Sequence, residues 1–379
     1  MIRKTLLGST AVFAAVLAAP TSVDAGTVGT GDNLAVSIFG EYRFHIAFRD
    51  EDVSSGFGRG YIFRSGEAEI GLEARNTADN GILYGVEIIL NVNTDDTANA
   101  DKAYAFIDDE NLGRLELGDQ NDAIDRMFVA GEDALVGRQG WDGEVGNEFN
   151  FGDTWIGAQN NNTGKATKVT YFSPRIAGFQ VGASFTPDSG LQGASFGERD
   201  DDGDFENVVG LAANYVADYN GLRVVLSIFG EFGDGEPDTS SPGNSTGGTS
   251  VGDVETLGIG ATIGYGGATL GAGYVDLNEA GIPSVRQALG EDAGRWWNVG
   301  AGYTSGPWGV SVGYYEATLG NVSGLSDTEN SVVSIDADYA VAPGWNVTGS
   351  LNFVDAENIS RTTTDNSGHV LILYNRFNF

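Results

Sequence analysis

Apolar and polar residues alternate along nearly the whole chain, and this pattern restricts the possible folds more than any other feature. Successive side chains of a strand point to opposite faces, so a period of two indicates strands with one apolar face and one wet face. In the first segment the apolar side is formed by Leu34, Val36, Ile38, Tyr42, Phe44, Ile46 and Phe48. The wet side is formed by Ser37, Glu41, Arg43, His45 and Arg49. The pattern predicts an all-β chain.

Sixteen such segments follow one another, and their connections alternate in length. They lie near residues 34–49, 67–75, 82–93, 101–108, 113–119, 166–174, 178–187, 207–217, 221–232, 254–265, 267–276, 295–305, 307–317, 331–341, 344–354 and 368–379. Short turns marked by glycine or proline alternate with long polar connections at 50–60, 188–206, 233–253, 277–294, 318–330 and 355–367. Short turns at one end and long loops at the other are typical of an outer-membrane barrel. The predicted fold is a transmembrane antiparallel β-barrel of about 16 strands.

A soluble sandwich or propeller would also alternate, with its apolar face turned toward a core. Aromatic residues favour the membrane, because they stand near segment ends as interfacial girdles do. Examples are Phe48, Tyr61, Tyr171, Trp308 and Trp345. An even number of segments also permits closed pairing, and lipid tolerates no open sheet edge.

Composition removes several classes of function. The 379 residues include 53 acidic and 20 basic side chains, for a formal charge of −33, so a nucleic-acid partner is not expected. The chain has no cysteine, which excludes disulfides and thiol chemistry. Glycine is abundant, with 57 residues, and we assign it to curved strands and tight barrel corners.

The first 25 residues carry the pattern of a cleaved secretory signal. Arg3 and Lys4 precede an apolar stretch from Leu6 to Ala19, and small residues lead to a cleavage site after Ala25. A transmembrane anchor is the alternative, but 14 residues are too few to cross the hydrocarbon as a helix. Residues 1–25 are therefore predicted to be the signal peptide and 26–379 the barrel.

Several stretches resemble the general porins of Gram-negative outer membranes, most of all those of alphaproteobacteria. They are 102–107 with 112–119, 169–174 with 177–185, and the alternating end of the chain with Leu371, Leu373, Phe377 and Phe379. The resemblance covers essentially the whole chain after residue 25. It implies a homotrimer in the outer membrane and a third long loop folded inward to constrict the lumen. Phe377 and Phe379 resemble the sorting signal that the barrel-assembly machinery reads.

The connection at 120–165 is the candidate constriction loop. A structureless loop of this length in a compact fold is usually functional. It is rich in carboxylates, at Asp122, Asp125, Glu132, Asp133, Asp142, Glu144, Glu148 and Asp153. Candidate charges of the facing wall are Glu41, Arg43, Glu69, Lys102, Arg114 and Lys168. In related porins this wall is usually basic, whereas here Glu41 and Glu69 interleave with the bases, and we therefore expect a preference for cations.

Catalytic and metal sites receive less support. Gly-x-Ser-x-Gly occurs at 193–197 and 309–313, but a nucleophile elbow needs a strand-turn-helix setting, and only His45 and His369 offer an imidazole. Asp200, Asp202 and Asp204 are candidates for a calcium site, although Phe205 stands where an EF-hand-like loop has glycine. A solvated loop, or one bridged by divalent ions to lipopolysaccharide, is the preferred interpretation. No catalytic residue and no other cofactor is predicted.

The sequence thus predicts a passive outer-membrane channel for small hydrophilic solutes and ions, in contact with lipid and lipopolysaccharide. Two alternatives remain open. A substrate-specific channel would have an aromatic path along its lumen, for which Phe39 is one candidate. An adhesin or structural barrel would have a blocked lumen and dominant outer loops.

Overall fold

The computed structural model describes residues 26–27, 34–53, 60–93, 99–137, 140–152, 154–155, 157–158, 161–190, 192–193, 203–237 and 251–379. The predicted signal peptide at 1–25 lies outside the described residues. So do Asp153 of the long connection and Asp200 and Asp202 of the calcium candidates.

Sixteen long strands form a single antiparallel sheet. They are β1 Ala35–Glu51, β2 Tyr61–Thr77, β3 Leu83–Asn91, β4 Asn99–Asp109, β5 Gly113–Asp119, β6 Thr167–Phe172, β7 Phe179–Asp188, β8 Phe205–Tyr219, β9 Leu222–Gly235, β10 Val254–Tyr265, β11 Ala268–Asn278, β12 Gly294–Ser305, β13 Trp308–Leu319, β14 Thr328–Ala342, β15 Trp345–Ile359 and β16 Thr364–Asn378. Each strand pairs with its sequence neighbour, and β16 pairs with β1 from Gly368 opposite Glu51 to Asn378 opposite Glu41. The predicted closed barrel and its closing pair are therefore confirmed. Gly26–Thr27 adds a two-residue pairing to β1.

Two predicted long connections are shorter in the structure than the sequence indicates. The expected connections at 318–330 and 355–367 are reduced to 320–327 and 360–363, because the strands on either side continue through polar residues. In the β15–β16 hairpin, for example, Asp355 pairs with Ser367 and Ala356 with Asn366. Ladder hydrogen bonds do not need apolar side chains, so these strands extend past the apolar band. The short turns at the other end lie as predicted, including 266–267, 306–307 and 343–344.

The sheet has two different faces. Large apolar side chains on one face are exposed, as at Leu226, Ile228, Ile259 and Val310, and we call this the apolar face. Their neighbours in sequence form the polar face, where residues such as Ser227 and Ser311 are buried. Exposed aromatics of the apolar face stand near strand ends, for example Trp308, which packs on Tyr339 with ring centroids 4.4 Å apart. Among the described residues, no helix is both long and apolar enough to span a membrane.

Residues 120–166, which connect β5 to β6, contain most of the remaining regular structure. We call them the lumenal segment. They include α1 (Ala123–Met127), a 3-10 turn (Gly131–Ala134) and α2 (Val145–Glu148), and a third short helix, α3 (Ser284–Gln287), lies between β11 and β12. The hydrophobic core lies between this segment and the polar face: Ile124, Phe128, Leu135 and Trp141 pack against wall residues that include Trp296 and Tyr315.

Candidate functional site

The lumenal segment crosses the polar face of strands β7–β13 through hydrogen bonds from its backbone. The N–H of Ala123 donates to Ser184 Oγ on β7 (2.8 Å), and the N–H of Val129 donates to Ser227 Oγ on β9 (3.1 Å). Farther along, Gly131 N–H donates to Asn298 Oδ1 on β12 (2.7 Å) and Val136 N–H to Ser311 Oγ on β13 (3.0 Å). Small polar side chains of the wall thus satisfy backbone groups that are buried away from water.

Glycines of the same wall let the segment approach closely. A Cβ on Gly271 would lie 2.5 Å from the carbonyl oxygen of Ala130, and one on Gly309 would lie 2.9 Å from Val136 Cγ1. Cβ positions on further polar-face glycines would also collide with the segment, at Gly182, Gly260, Gly273, Gly300, Gly302 and Gly313. We call the polar face of β7–β15 the glycine arc. These eight glycines, which we assigned to strand curvature and corners, therefore serve this contact.

An aromatic cluster fills the space between the segment and the wall. Phe128 packs edge-on against Phe229 with ring centroids 5.0 Å apart, and Trp141 stacks on Tyr315 at 5.9 Å. The Tyr315 hydroxyl donates to the carbonyl oxygen of Gly157 (3.0 Å). The glycine arc therefore holds both the outgoing and the returning part of the segment.

Another part of the polar face, on β16 and β1–β5, carries most of the ion pairs found among the described residues. We call it the charged arc. Arg376 Nε lies 2.6 Å from Glu41 Oε2, and Arg43 contacts Glu41 and also Glu67, the latter at 3.7 Å. A second group centres on Glu116, which pairs with Arg114 of β5 and with Arg126 of α1. Arg75 lies 3.5 Å from Glu73, and Lys165 pairs with Asp101.

Helix α2 attaches the segment to the charged arc. Glu148 Oε1 lies 3.2 Å from His45 Nε2 on β1 and 3.3 Å from Arg64 Nε on β2. Arg49 Nη1 donates to the carbonyl oxygen of Glu148 (3.3 Å), and Glu144 Oε2 lies 3.9 Å from His45 Nε2. Charged side chains make these contacts, whereas serine and asparagine side chains accept the backbone hydrogen bonds of the segment on the glycine arc.

The carboxylates predicted for the constriction have different environments. Asp122 caps α1 by accepting from the N–H of Asp125 (2.9 Å), and burial raises the pKa of Asp122 to about 6. Glu132 is buried and accepts from Asn298 Nδ2 (2.7 Å), while Asp133 accepts from the N–H of Ala130 (2.8 Å). Asp125, Asp142 and Glu144 are half-buried. Asp122 and Asp133 therefore stabilise the segment itself, and Glu132 joins it to the wall. Asp133 is half-buried like the last three, so four of the six carboxylates have atoms accessible to water.

The predicted wall residues also divide into two groups. Glu41, Arg43, Glu69, Lys102 and Arg114 all lie on the charged arc and are half-buried. Lys168 is buried, and its Nζ donates to the carbonyl oxygens of Gln120 and Gly164, each at 2.7 Å. Because these two carbonyls stand near the two ends of the segment, Lys168 joins its beginning to its end.

The sequence reasoning missed the residues on which the segment rests. Asn298 and Ser227 are not among its candidates, Ser311 enters only through the Gly-x-Ser-x-Gly stretch at 309–313, and the glycines are given another role. The signal that would have found them is glycine at alternate positions opposite an apolar face, as at Gly271 with Gly273 and Gly300 with Gly302. Glu144 and Glu148 both face His45 on β1, because a spacing of four residues places two side chains on one side of a helix.

A model of the Gram-negative porin family matches residues 8–359. An uncharacterized protein of Rickettsia prowazekii is 23% identical over 331 residues, which cover 70% of this chain and 72% of that protein.

Solved outer-membrane proteins have the same fold. OmpT of Vibrio cholerae, described as a trimer form, superposes with a TM-score of 0.60 at 12% identity, covering 92% of this chain and 100% of that one. The outer-membrane channel DcaP of Acinetobacter baumannii also gives 0.60, at 11% identity over 93% of this chain and 99% of that one. At these identities the likeness concerns the fold alone.

Proposed function

Because this chain belongs to the Gram-negative porin family, we propose that it forms a water-filled outer-membrane channel through which small hydrophilic solutes and ions diffuse passively. In this proposal the polar face lines the lumen, and the lumenal segment is the constriction loop. The sheet closes on itself, as a barrel in lipid must, and its exposed apolar side chains form the outer surface.

The observation that supports an open path is the solvent access of the charged arc. Five of its arginine side chains, those of Arg43, Arg64, Arg75, Arg114 and Arg376, are between 24% and 37% exposed, whereas Arg49, which contacts α2, is 5% exposed. On the glycine arc, by contrast, the segment covers the wall, and Asn298, Ser334 and Asn352 are at most 1% exposed. Water and solutes would therefore pass between the segment and the charged arc.

The charges along this path favour cations. Each arginine of the arc lies against a carboxylate, so no uninterrupted row of bases faces the water. Asp125, Asp142 and Glu144 add negative charge from the segment. Fixed negative charge in a narrow aqueous gap raises the local concentration of cations and repels anions.

Reversal potentials in a KCl gradient across a planar bilayer test the channel and its preference together. We expect cation selectivity that weakens as salt rises, because salt screens fixed charge. The double variant Glu67→Gln with Glu69→Gln should shift the reversal potential toward zero. Glu279→Gln removes a charge from an exposed loop residue and should change it much less. A wild-type barrel that does not conduct would contradict the channel, and an anion-selective one would contradict the cation preference.

We also propose that the chain assembles as a homotrimer. Family membership and the trimer form of the similar Vibrio cholerae protein support this proposal. Light scattering on the detergent-purified barrel should give three chains per particle, and a monodisperse monomer in several mild detergents would contradict it.

A further inference from the structure

We propose that His45, Glu144 and Glu148 form a site for a divalent transition-metal ion, with Zn²⁺ the best match, which fastens helix α2 to strand β1. Candidate ligand atoms of these three residues lie within 4.8 Å of one another. In the part of the chain that the structure describes, this is the one group of three or more such side chains with that spacing.

The distances suit a small ion. Zinc binds imidazole nitrogen and carboxylate oxygen at about 2.0–2.2 Å, so two ligand atoms in a tetrahedral site stand about 3.4 Å apart. His45 Nε2 and Glu148 Oε1 are separated by 3.2 Å, which needs no rearrangement. Glu144 Oε2 is 3.9 Å from the same nitrogen, and its side chain is partly exposed, so a small rotation brings it into range. Three protein ligands leave a fourth position for water.

The burial of His45 and Glu148 is a second, independent indication of a metal site. The side chains of His45 and Glu148 are both 0% exposed, and no hydrogen-bond partner of Glu148 Oε2 lies among the residues that the structure describes. Unsatisfied buried polar atoms are uncommon, and each one costs free energy unless a water or ion compensates for it. A cation between the three residues would stabilise both carboxylates, and it would leave the ring proton of His45 on Nδ1.

The choice of metal follows from the ligands. Imidazole together with carboxylate suits Zn²⁺ and its first-row neighbours, whereas Ca²⁺ and Mg²⁺ bind oxygen ligands. One neighbouring group opposes binding, since the guanidinium of Arg64 lies 3.3 Å from Glu148 Oε1. Arg64 is 37% exposed and its side chain has room to turn toward the water when an ion binds.

Isothermal titration of the full-length, folded barrel in detergent with Zn²⁺ tests the site, with Ca²⁺ as the comparison ion. We expect one Zn²⁺ per chain and at least tenfold weaker binding in His45→Asn and in Glu144→Gln. His369→Asn is the matched control because it removes the chain's other histidine. It should bind as the parent does. Removing the opposing cation by Arg64→Gln should tighten binding several-fold.

Titration with Co²⁺ adds a spectroscopic measurement, because nitrogen and oxygen ligation gives visible absorption that His45→Asn should abolish. If His45→Asn does not fold, Glu144→Gln alone decides, since Glu144 contributes less buried surface. Equal Zn²⁺ affinity in the parent, Glu144→Gln and Arg64→Gln would overturn the proposal. So would Zn²⁺ binding no tighter than Ca²⁺ binding, which would indicate a general acidic surface.

Discussion

The two arcs of the polar face differ in how they meet the lumenal segment. On the glycine arc, backbone lies against backbone, with Gly271 and Gly302 leaving room for segment carbonyls and Asn298 and Ser311 supplying hydrogen bonds. On the charged arc the segment attaches through charged groups: α2 contacts His45, Arg126 pairs with Glu116, and Lys165 pairs with Asp101. Other wall charges pair among themselves. Close contact is made mostly by small side chains, and the basic residues lie on the surface that water reaches.

The reason for the division is the free energy of desolvation. A charged side chain covered by the segment would lose its hydration, and burial of an unpaired charge is strongly unfavourable. Strands β7–β15 accordingly carry only two basic residues, Arg223 and Arg295, each the second residue of its strand. Where a lysine is covered, as Lys168 is, backbone carbonyls surround its ammonium group. The wall thus carries few bases where the segment covers it, and the carboxylates buried there accept hydrogen bonds, Glu231 from Asn162 and Asp336 from Ser311.

The largest expected effect comes from filling the glycine arc. Gly302→Leu places a side chain where the carbonyl oxygen of Ala134 lies, so the segment must move or the barrel must lose about 3 kcal/mol of stability. Urea unfolding in lipid vesicles measures the loss, and single-channel conductance reports movement of the segment. Gly349→Leu is the control, because a Cβ there meets only Leu373 Cδ2, at 3.8 Å. Equal behaviour of the two variants would contradict the close contact on the glycine arc.

A smaller loss of stability is expected on the charged arc. Glu116→Gln removes the buried partner of Arg114 and Arg126. Breaking a fully buried pair costs about 3–5 kcal/mol, but both arginines are about a quarter exposed, so we expect about 2 kcal/mol. The freed arginines should also shift the reversal potential toward anions. Unfolding that matches the parent, with an unchanged reversal potential, would show that the pair matters to neither property.

The smallest effect is expected where a charge lies against the glycine arc. Asp122 packs near Gly210, and Asn is as good an N-cap as Asp, so Asp122→Asn should not destabilise the barrel near neutral pH. Burial raises the pKa of Asp122 to about 6, above the ordinary value of about 4, so folding disfavours the charged form. The stability of Asp122→Asn relative to the parent should therefore rise between about pH 4 and pH 6. A relative decrease over that range would contradict the sign of this shift.

The strands were predictable from sequence and the contacts of the segment were not. Alternation located all sixteen strands, because one face of each had to be apolar. It gave no information on strand ends such as 355–359, where polar residues continue the ladder. Segment carboxylates looked alike in sequence, but Glu132 binds Asn298 while Asp125 is half-buried, and that difference depends on packing between distant residues. Similarly, nothing near His45 in sequence indicates Glu148, 103 residues away.

Cysteine accessibility tests most directly whether water follows the charged arc and is excluded from the glycine arc. The chain has no native cysteine, so single cysteines give unambiguous signals. We expect Glu67→Cys to react rapidly with a charged methanethiosulfonate reagent and to change the conductance at once, because the Glu67 side chain is 25% exposed. Ser334→Cys, whose parent side chain is buried against Gly140, should remain unmodified in the folded barrel. Equal rates at the two positions, or faster reaction at residue 334, would contradict the account.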